Sequence, residues 1–258
     1  MAKMITQIGS LPYMDAAEAV EYSMRYAARG MPFLPELPGR GDSMLDYIKN
    51  PGSLSCLDEF KRAVRSRGIT SVKMQCVGPV TLAQRGYGEA DATQRIYSHI
   101  RAMIDGVDAE KIIFLDEPAL GHTGLDFRKM WGNIIDCLAI EPGLEGLVFG
   151  VHTCGDMNWT QLFSSDMQII SFDASRFDLT TYQGYRNGKT IAWGVTDLSH
   201  VRDFQEGDLI TLPCGMSPAL YSVEDCGQVL ERLELIAEKL EEEKKRIPIT
   251  SSDQSPYR

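Results

Sequence analysis

The stretch LVFGVHTC, residues 147–154, sets the pattern from which the fold is predicted. It is an apolar run of strand length that ends in two residues able to bind a metal, His152 and Cys154. Val, Leu and Phe at nearly successive positions are typical of a parallel strand that is buried on both faces. Seven similar runs occur elsewhere in the chain, at residues 4–11, 32–37, 71–80, 111–116, 168–173, 190–195 and 208–214.

Amphipathic stretches separate most of these apolar runs and predict helices. The stretches lie at residues 14–28, 53–66, 92–107, 127–140 and 159–164. A longer helix is predicted after the last run, where Ser222 and Asp225 form a capping arrangement. Its apolar positions recur at helical spacing and are Val229, Leu233, Ile236 and Leu240.

Eight strand candidates that alternate with helices predict one α/β domain, a single (β/α)8 TIM barrel. We expect the barrel to span residues 1–247 and a polar tail to follow at residues 248–258. The stretch 198–207 is short for a crossover helix. A doubly wound open sheet is the alternative, but neither a GxGxxG motif nor a P-loop follows the first predicted strand.

The composition and net charge of the chain argue against several classes of partner. The chain has 258 residues, 43% of them hydrophobic and 24% charged, as is usual for a globular protein. Its formal net charge of −10 opposes binding to a phosphate backbone, so no nucleic-acid partner is expected. No apolar run reaches the roughly 18–20 residues that cross a bilayer. The N-terminus has no secretory signal pattern, so we expect a cytoplasmic protein without a membrane partner and with reduced cysteines.

The predicted strands end in polar and ionisable residues, and four of these suit a metal. Barrel enzymes carry their chemistry at the carboxyl ends of the strands. Two thiolates, one imidazole and one carboxylate are a donor set that Zn²⁺ accepts. These four candidate ligands are His152, Cys154, Asp173 and Cys214. The alternative interpretation is that the histidine and the cysteines are packing residues of the core.

Six short motifs follow one another along nearly the whole chain. They are Gln7-Ile8-Gly9-Ser10-Leu11-Pro12, Gly78-Pro79-Val80-Thr81, Asp116-Glu117-Pro118-Ala119-Leu120, His152-Thr153-Cys154, Asp173-Ala174-Ser175-Arg176 and Cys214-Gly215. In this order they resemble the C-terminal catalytic barrel of cobalamin-independent methionine synthase. That family stands within a broader group that also holds uroporphyrinogen decarboxylase and the corrinoid-linked methyltransferases.

The resemblance implies a set of site residues. In the family, a zinc ion held by a His-x-Cys pair, a carboxylate and a distant Cys binds the thiol of homocysteine. The implied ligands are the same four residues, with Asp173 at a position where the family usually has Glu. The implied pocket for the amino-acid substrate consists of Ile8, Ser10, Glu36 and Asp116. Two carboxylates in such a pocket suit the ammonium group of an α-amino acid.

The chain departs from the family in three places. We expect the catalytic unit alone, without the family's N-terminal duplicate barrel. Beyond Thr81 it reads Leu-Ala-Gln-Arg-Gly, without the Trp that folate-using members carry there, which favours a methyl-corrinoid donor over methyltetrahydrofolate. A family His that directly follows an Asp-Ile pair is matched here by Asp197-Leu198-Ser199-His200. We therefore expect Asp197 and His200 as catalytic residues, with His200 as a general acid.

The expected function is a zinc-dependent methyltransferase in methionine biosynthesis. It would pass a methyl group to the thiol of homocysteine or of a related small molecule, with a corrinoid protein as candidate donor. Two alternatives stay open. One is a zinc- or thiol-binding barrel without turnover, and the other is a uroporphyrinogen decarboxylase-like lyase, for which Arg40 and Arg176 are the best partners of substrate carboxylates.

Overall fold

A computed structural model describes residues 4–122, 124–141 and 146–246. Its centre is a six-stranded, entirely parallel sheet in which the strands lie in chain order. The strands are β1 (Ser71–Val77), β2 (Glu110–Asp116), β3 (Val148–Thr153), β4 (Ile169–Asp173), β5 (Thr190–Gly194) and β6 (Leu209–Thr211). Six of the eight predicted strands are thereby confirmed. The first of them is shorter than the predicted 71–80, because Pro79 begins a helix.

The prediction of eight regular strands is not met at residues 4–11 and 32–37. These two segments are joined to their neighbours by isolated bridges only, which pair Ile5 with Ile210, Ile5 with Gly30, Ser10 with Glu36 and Phe33 with Lys73. Pro32 and Pro35 lack the N–H that a regular ladder needs. The bridges nevertheless connect β6 to the first segment, the first segment to the second, and the second to β1. Backbone pairing therefore links the last strand of the sheet to the first one through these two segments.

Helices follow most strands and cover the outer face of the sheet. They are α1 (Ala16–Arg25), α2 (Met44–Tyr47), α3 (Leu57–Ser66), α4 (Pro79–Gln84), α5 (Glu89–Ile104), α6 (Phe127–Ala139), α7 (Trp159–Phe163) and α8 (Val223–Arg246). The capping arrangement predicted for the last helix is present, since the Ser222 backbone N–H donates to Asp225 over 2.7 Å. Between β5 and β6 only a 3-10 turn, Leu198–His200, takes the place of a crossover helix. The predicted tail at 248–258 and residue 247 lie outside the described residues.

Two apolar clusters stabilise this arrangement. The large one lies between the sheet and the helices, and it contains the four buried apolar residues predicted for α8. The small one consists of Phe114, Ile169, Ala192 and Leu209, which come from the parallel strands, together with Met31. It fills the inside of the curved sheet. Gly150 is required there, because a Cβ atom at this position would lie 2.3 Å from Cε1 of Phe114.

A buried carboxylate ties the end of β2 to the start of α4. Glu117 Oε1 accepts hydrogen bonds from the Val80 backbone N–H and from Trp131 Nε1, both at 3.0 Å. Its Oε2 accepts from the Thr81 backbone N–H at 2.8 Å and from the Thr81 hydroxyl at 2.7 Å. A Cβ atom on residue 78 would lie 2.1 Å from the Glu117 carboxyl carbon, so only glycine fits. The motifs that contain Gly78 and Glu117 are thus linked to each other by buried hydrogen bonds.

Within the described ranges 4–122, 124–141 and 146–246, no helix combines the length and the apolar character needed to span a membrane.

We expect Glu117→Gln to lower the free energy of unfolding by about 2 kcal/mol, because an amide NH₂ would face two buried donors that keep no acceptor. Urea unfolding followed by circular dichroism measures the change. The control is Glu110→Gln, which alters an exposed carboxylate at the start of β2. Equal stability of the two variants would show that the buried hydrogen bonds do not stabilise the fold.

Candidate functional site

Three of the four predicted ligands converge at the carboxyl end of the sheet. His152 lies on β3, Cys154 follows that strand directly, and Cys214 follows β6. One ligand atom from each of them lies within 4.8 Å of the other two. His152 and Cys154 are two positions apart, and strand geometry directs such residues to the same face. Cys214 reaches them only because β6 returns to the same end of the sheet.

The His152 ring is oriented by a neighbouring strand. Its Nδ1 lies 3.0 Å from the Ser171 hydroxyl, and the two residues are register partners of β3 and β4. Nε2 is buried and has no hydrogen-bond partner in the described part of the chain. A buried ring nitrogen without a partner is costly unless a ligand binds it. Metal-binding histidines commonly use one nitrogen for the metal and the other for an orienting hydrogen bond, and His152 has this arrangement.

The two thiols of the cluster affect each other's ionisation. The nearby Cys214 and His152 lower the pKa of Cys154 to about 4. The thiolate formed there raises the pKa of Cys214 well above its usual range, and partial burial raises it further. Cys154 is half-buried and Cys214 is exposed, so the sulfur pair is open to solvent. One histidine and two thiols, one of them a thiolate, could hold a soft divalent metal such as Zn²⁺.

The predicted fourth ligand, Asp173, is not brought into this three-residue cluster. Its Oδ1 accepts hydrogen bonds from the Ser175 backbone N–H at 3.0 Å and from the Ser175 hydroxyl at 2.6 Å, which stabilises the turn after β4. The same turn reaches the cluster through Arg176, whose Nη1 donates to the Cys154 carbonyl over 2.8 Å. Asp173 as a metal ligand therefore stays a prediction.

Two of the predicted pocket residues lie beside Cys214. The Met216 backbone N–H donates to the Ser10 carbonyl over 2.8 Å. A Cβ atom on Gly215 would lie 2.8 Å from Cβ of Ser10 and 3.4 Å from Cγ2 of Ile8. Residues 4–11, the first bridged segment, therefore pack closely on the residue that follows Cys214. Glycine is needed at position 215 for this contact.

The other two predicted pocket residues are buried carboxylic acids. Glu36 Oε1 and Asp116 Oδ1 have no hydrogen-bond partner in the described residues. Burial raises the pKa of Glu36 well above its usual range, and the neighbouring Asp116 raises it further. Burial also raises the pKa of Asp116, whereas His152 and Lys73 lower it. Two acidic groups with free oxygens, close to each other and to the cluster, can accept hydrogen bonds from a cationic group.

The sequence interpretation missed Lys73, which is fully buried on β1. Burial lowers the pKa of Lys73 to about 8, while Asp116 and Glu36 act in the opposite direction. A lysine within an otherwise apolar predicted strand was the available signal. Such residues are almost never fully buried unless they are paired.

The two predicted catalytic residues lie after β5. Asp197 is exposed, and its Oδ1 accepts a hydrogen bond from the Ser199 backbone N–H over 2.8 Å. The Ser199 hydroxyl, and then this backbone contact, lower the pKa of Asp197. His200 ends the same 3-10 turn, and its Nδ1 is buried without a partner among the described residues. Neither residue belongs to the three-residue cluster, so their catalytic roles stay predictions.

Comparison with known proteins shows the fold. No family model matches the chain, and no curated protein matches it. A B12-independent methionine synthase from Shewanella sp. W3-18-1, solved in complex with selenomethionine, has a TM-score of 0.57 and 17% identity over 73% of this chain and 67% of that one. A methyltransferase from Methanosarcina mazei has a TM-score of 0.58 and 11% identity over 92% of this chain and 94% of that one. At these identities the likeness establishes a shared fold.

The lowered pKa of Cys154 predicts its alkylation behaviour in metal-free protein. With a pKa near 4, Cys154 is a thiolate at pH 6 and at pH 8, so iodoacetamide should modify it at nearly the same rate at both values. Free cysteine, a reference thiol with a pKa of about 8.5, should react about tenfold faster for each pH unit gained below that value. Peptide mass spectrometry measures the rates.

Cys214→Ala is the matched control, because it removes the largest cause of the lowered pKa at Cys154. We expect this variant to regain a pH-dependent rate. If wild-type Cys154 follows the pH dependence of the reference thiol, the lowered pKa of Cys154 is wrong.

Proposed function

We propose that the protein is a zinc-dependent methyltransferase that acts on the thiol of homocysteine or of a closely related α-amino thiol. One observation carries the proposal: His152, Cys154 and Cys214 present a soft donor set within 4.8 Å, and the free ring nitrogen of the histidine is already oriented. The shared fold with a methionine synthase and a methyltransferase supports the same chemistry. Neither solved structure is similar enough in sequence to assign the activity by itself.

His152, Cys154 and Cys214 would hold the metal, and Asp173 is the proposed fourth ligand. Bound Zn²⁺ supplies one chemical effect, the deprotonation of a coordinating thiol at neutral pH. Asp173 would have to give up its hydrogen bonds with Ser175 to reach the metal. Because that carboxylate already has partners in its own turn, Asp173 would be the most easily replaced of the four donors.

The buried acids would orient the substrate. An α-amino thiol presents an ammonium group, which the free oxygens of Glu36 and Asp116 can bind. Ser10 and Ile8 would contact the rest of the amino acid, since both lie against Gly215 beside the cluster. With the ammonium group held on one side, the sulfur is directed toward Cys154 and Cys214. The transfer then forms one S–CH₃ bond as the bond between the methyl group and the donor breaks.

The methyl donor is proposed to be a methyl-corrinoid, carried by a partner protein. The helix α4 ends at Gln84 and is followed by an exposed Arg85, where folate-using enzymes of the resembling family have an aromatic platform. Asp197 and His200 are the proposed catalytic residues. His200 would act as a general acid, with its buried Nδ1 as the atom that carries the proton.

Metal analysis tests the site directly. We expect about one zinc per chain in wild-type protein reconstituted under reducing conditions, and a large loss in Cys154→Ser and Cys214→Ser, because each removes one of three clustered donors. Cys137→Ser is the control, since this exposed thiol lies on α6 outside the cluster. Wild-type protein without zinc after reconstitution would refute the zinc site.

Methyl transfer tests the activity. Zinc-loaded protein is incubated with L-homocysteine and, in parallel, methylcobalamin or methyltetrahydrofolate, and methionine is quantified. We expect transfer from methylcobalamin and little or none from methyltetrahydrofolate. Transfer from neither donor would contradict the proposal, and tight binding of zinc and homocysteine without transfer would identify a binding protein instead.

A further inference from the structure

A lysine lies beneath the proposed substrate pocket, inside the curved sheet. Lys73 is 0% exposed, and its ammonium nitrogen lies 5.0 Å from the centre of the Phe114 ring in the interior apolar cluster. Nζ donates hydrogen bonds to the Gln7 carbonyl at 3.0 Å and to Gln75 Oε1 at 2.5 Å. A cation buried so deeply requires hydrogen bonds and compensating negative charge, and the structure provides both.

The hydrogen bonds of Lys73 reach the segment that forms one wall of the pocket. Gln75 Oε1, which accepts from Lys73, also accepts from the Gly9 backbone N–H at 2.7 Å. A Cβ atom on Gly9 would lie 2.8 Å from Cδ of Gln75, so the segment and the amide are in close contact. Lys73 therefore holds the chain on both sides of Ile8, through the Gln7 carbonyl and, by way of Gln75, through Gly9.

The charge of Lys73 acts on the two acids that form the other wall. Lys73 lowers the pKa of both Glu36 and Asp116, against the effect of their burial. Glu36 is paired by an isolated bridge with Ser10, and Phe33 of the same segment is paired with Lys73. The Lys73 charge thus acts on both acids, and the hydrogen bonds of Lys73 and Gln75 hold the segment that contains Ile8 and Ser10.

We propose that Lys73 is a positioning residue for the amino group of the substrate. It holds the Gln7–Ser10 segment in place through Gln75 and the Gln7 carbonyl, and the bridge between Ser10 and Glu36 ties the position of Glu36 to that segment. This inference rests on the proposed thiol methyltransferase function and extends it to the choice of substrate. It requires that loss of Lys73 weakens the binding of amino-bearing thiols more than the binding of thiols without an amino group.

The test compares Lys73→Met with wild type in the zinc-loaded protein, using methylcobalamin as donor. The acceptors are L-homocysteine and 4-mercaptobutanoate, which has the same carbon chain and carboxylate but no amino group. We expect KM for homocysteine to rise about tenfold or more, because a displaced Glu36 loses a hydrogen bond to the charged ammonium group, and such a loss weakens binding by about that factor. KM for 4-mercaptobutanoate and kcat for both acceptors should change little.

Lys189→Met is the matched control. Lys189 is also partly buried and donates to two backbone carbonyls, those of Ser165 and Met167, but it lies directly before β5 at the opposite end of the sheet. We expect no change in KM for either acceptor in this variant. An equal rise of KM for both acceptors in Lys73→Met would assign Lys73 a general structural role and overturn the inference.

A second variant keeps the inference testable if Lys73→Met does not fold. Gln75→Met removes the acceptor shared by Lys73 and Gly9 and is expected to raise KM for homocysteine selectively as well. Binding of both thiols, measured by calorimetry, provides a readout that does not depend on turnover. If wild type binds homocysteine without transferring a methyl group, the proposed function fails, whereas unchanged amino-group selectivity in both variants overturns only the role of Lys73.

Discussion

The arrangement of the site depends on buried hydrogen bonds from side chains to the backbone of the first bridged segment. Residues 4–11 and 32–37 have no regular strand ladder, so the usual backbone pairing cannot hold them in register. Side chains of β1 supply additional contacts, since Lys73 and Gln75 accept or donate hydrogen bonds at the backbone of Gln7 and Gly9. Directly after β6, the Leu212 backbone N–H donates to the Gln7 side chain over 3.2 Å. Together with the backbone hydrogen bond from Met216 to the Ser10 carbonyl, these contacts position Ile8 and Ser10 beside Cys214.

Charge balance explains why the interior can contain so many polar groups. Glu36, Asp116 and Cys154 can each carry a negative charge, and burial of the two carboxylates opposes their ionisation. Lys73 below them and His152 beside them act in the opposite direction for Asp116. The site therefore keeps acidic oxygens free of protein partners, which is costly in an empty interior and favourable once a cation binds.

Not every residue of the motifs noted in the sequence belongs to the site. Glu117 directly follows Asp116, yet its carboxylate is fully used by Val80, Thr81 and Trp131. Neighbouring residues at a strand end point in different directions, so one acid faces the proposed pocket and the next one anchors a helix. The same distinction applies after β4, where Asp173 stabilises its own turn and Arg176 binds the carbonyl of Cys154.

The sequence by itself determined the order of strands and helices, the positions of the strand ends, and the residue types able to bind metal there. It did so because strand burial and helical spacing are local patterns, and because parallel strands carry their carboxyl ends on one side. Only the tertiary structure decided that Cys214 joins His152 and Cys154 while Asp173 stays in its turn, and that residues 4–11 and 32–37 pair through single bridges. Only it revealed Lys73 beneath the pocket. These features depend on contacts between residues distant in the chain, which no local pattern of side chains specifies.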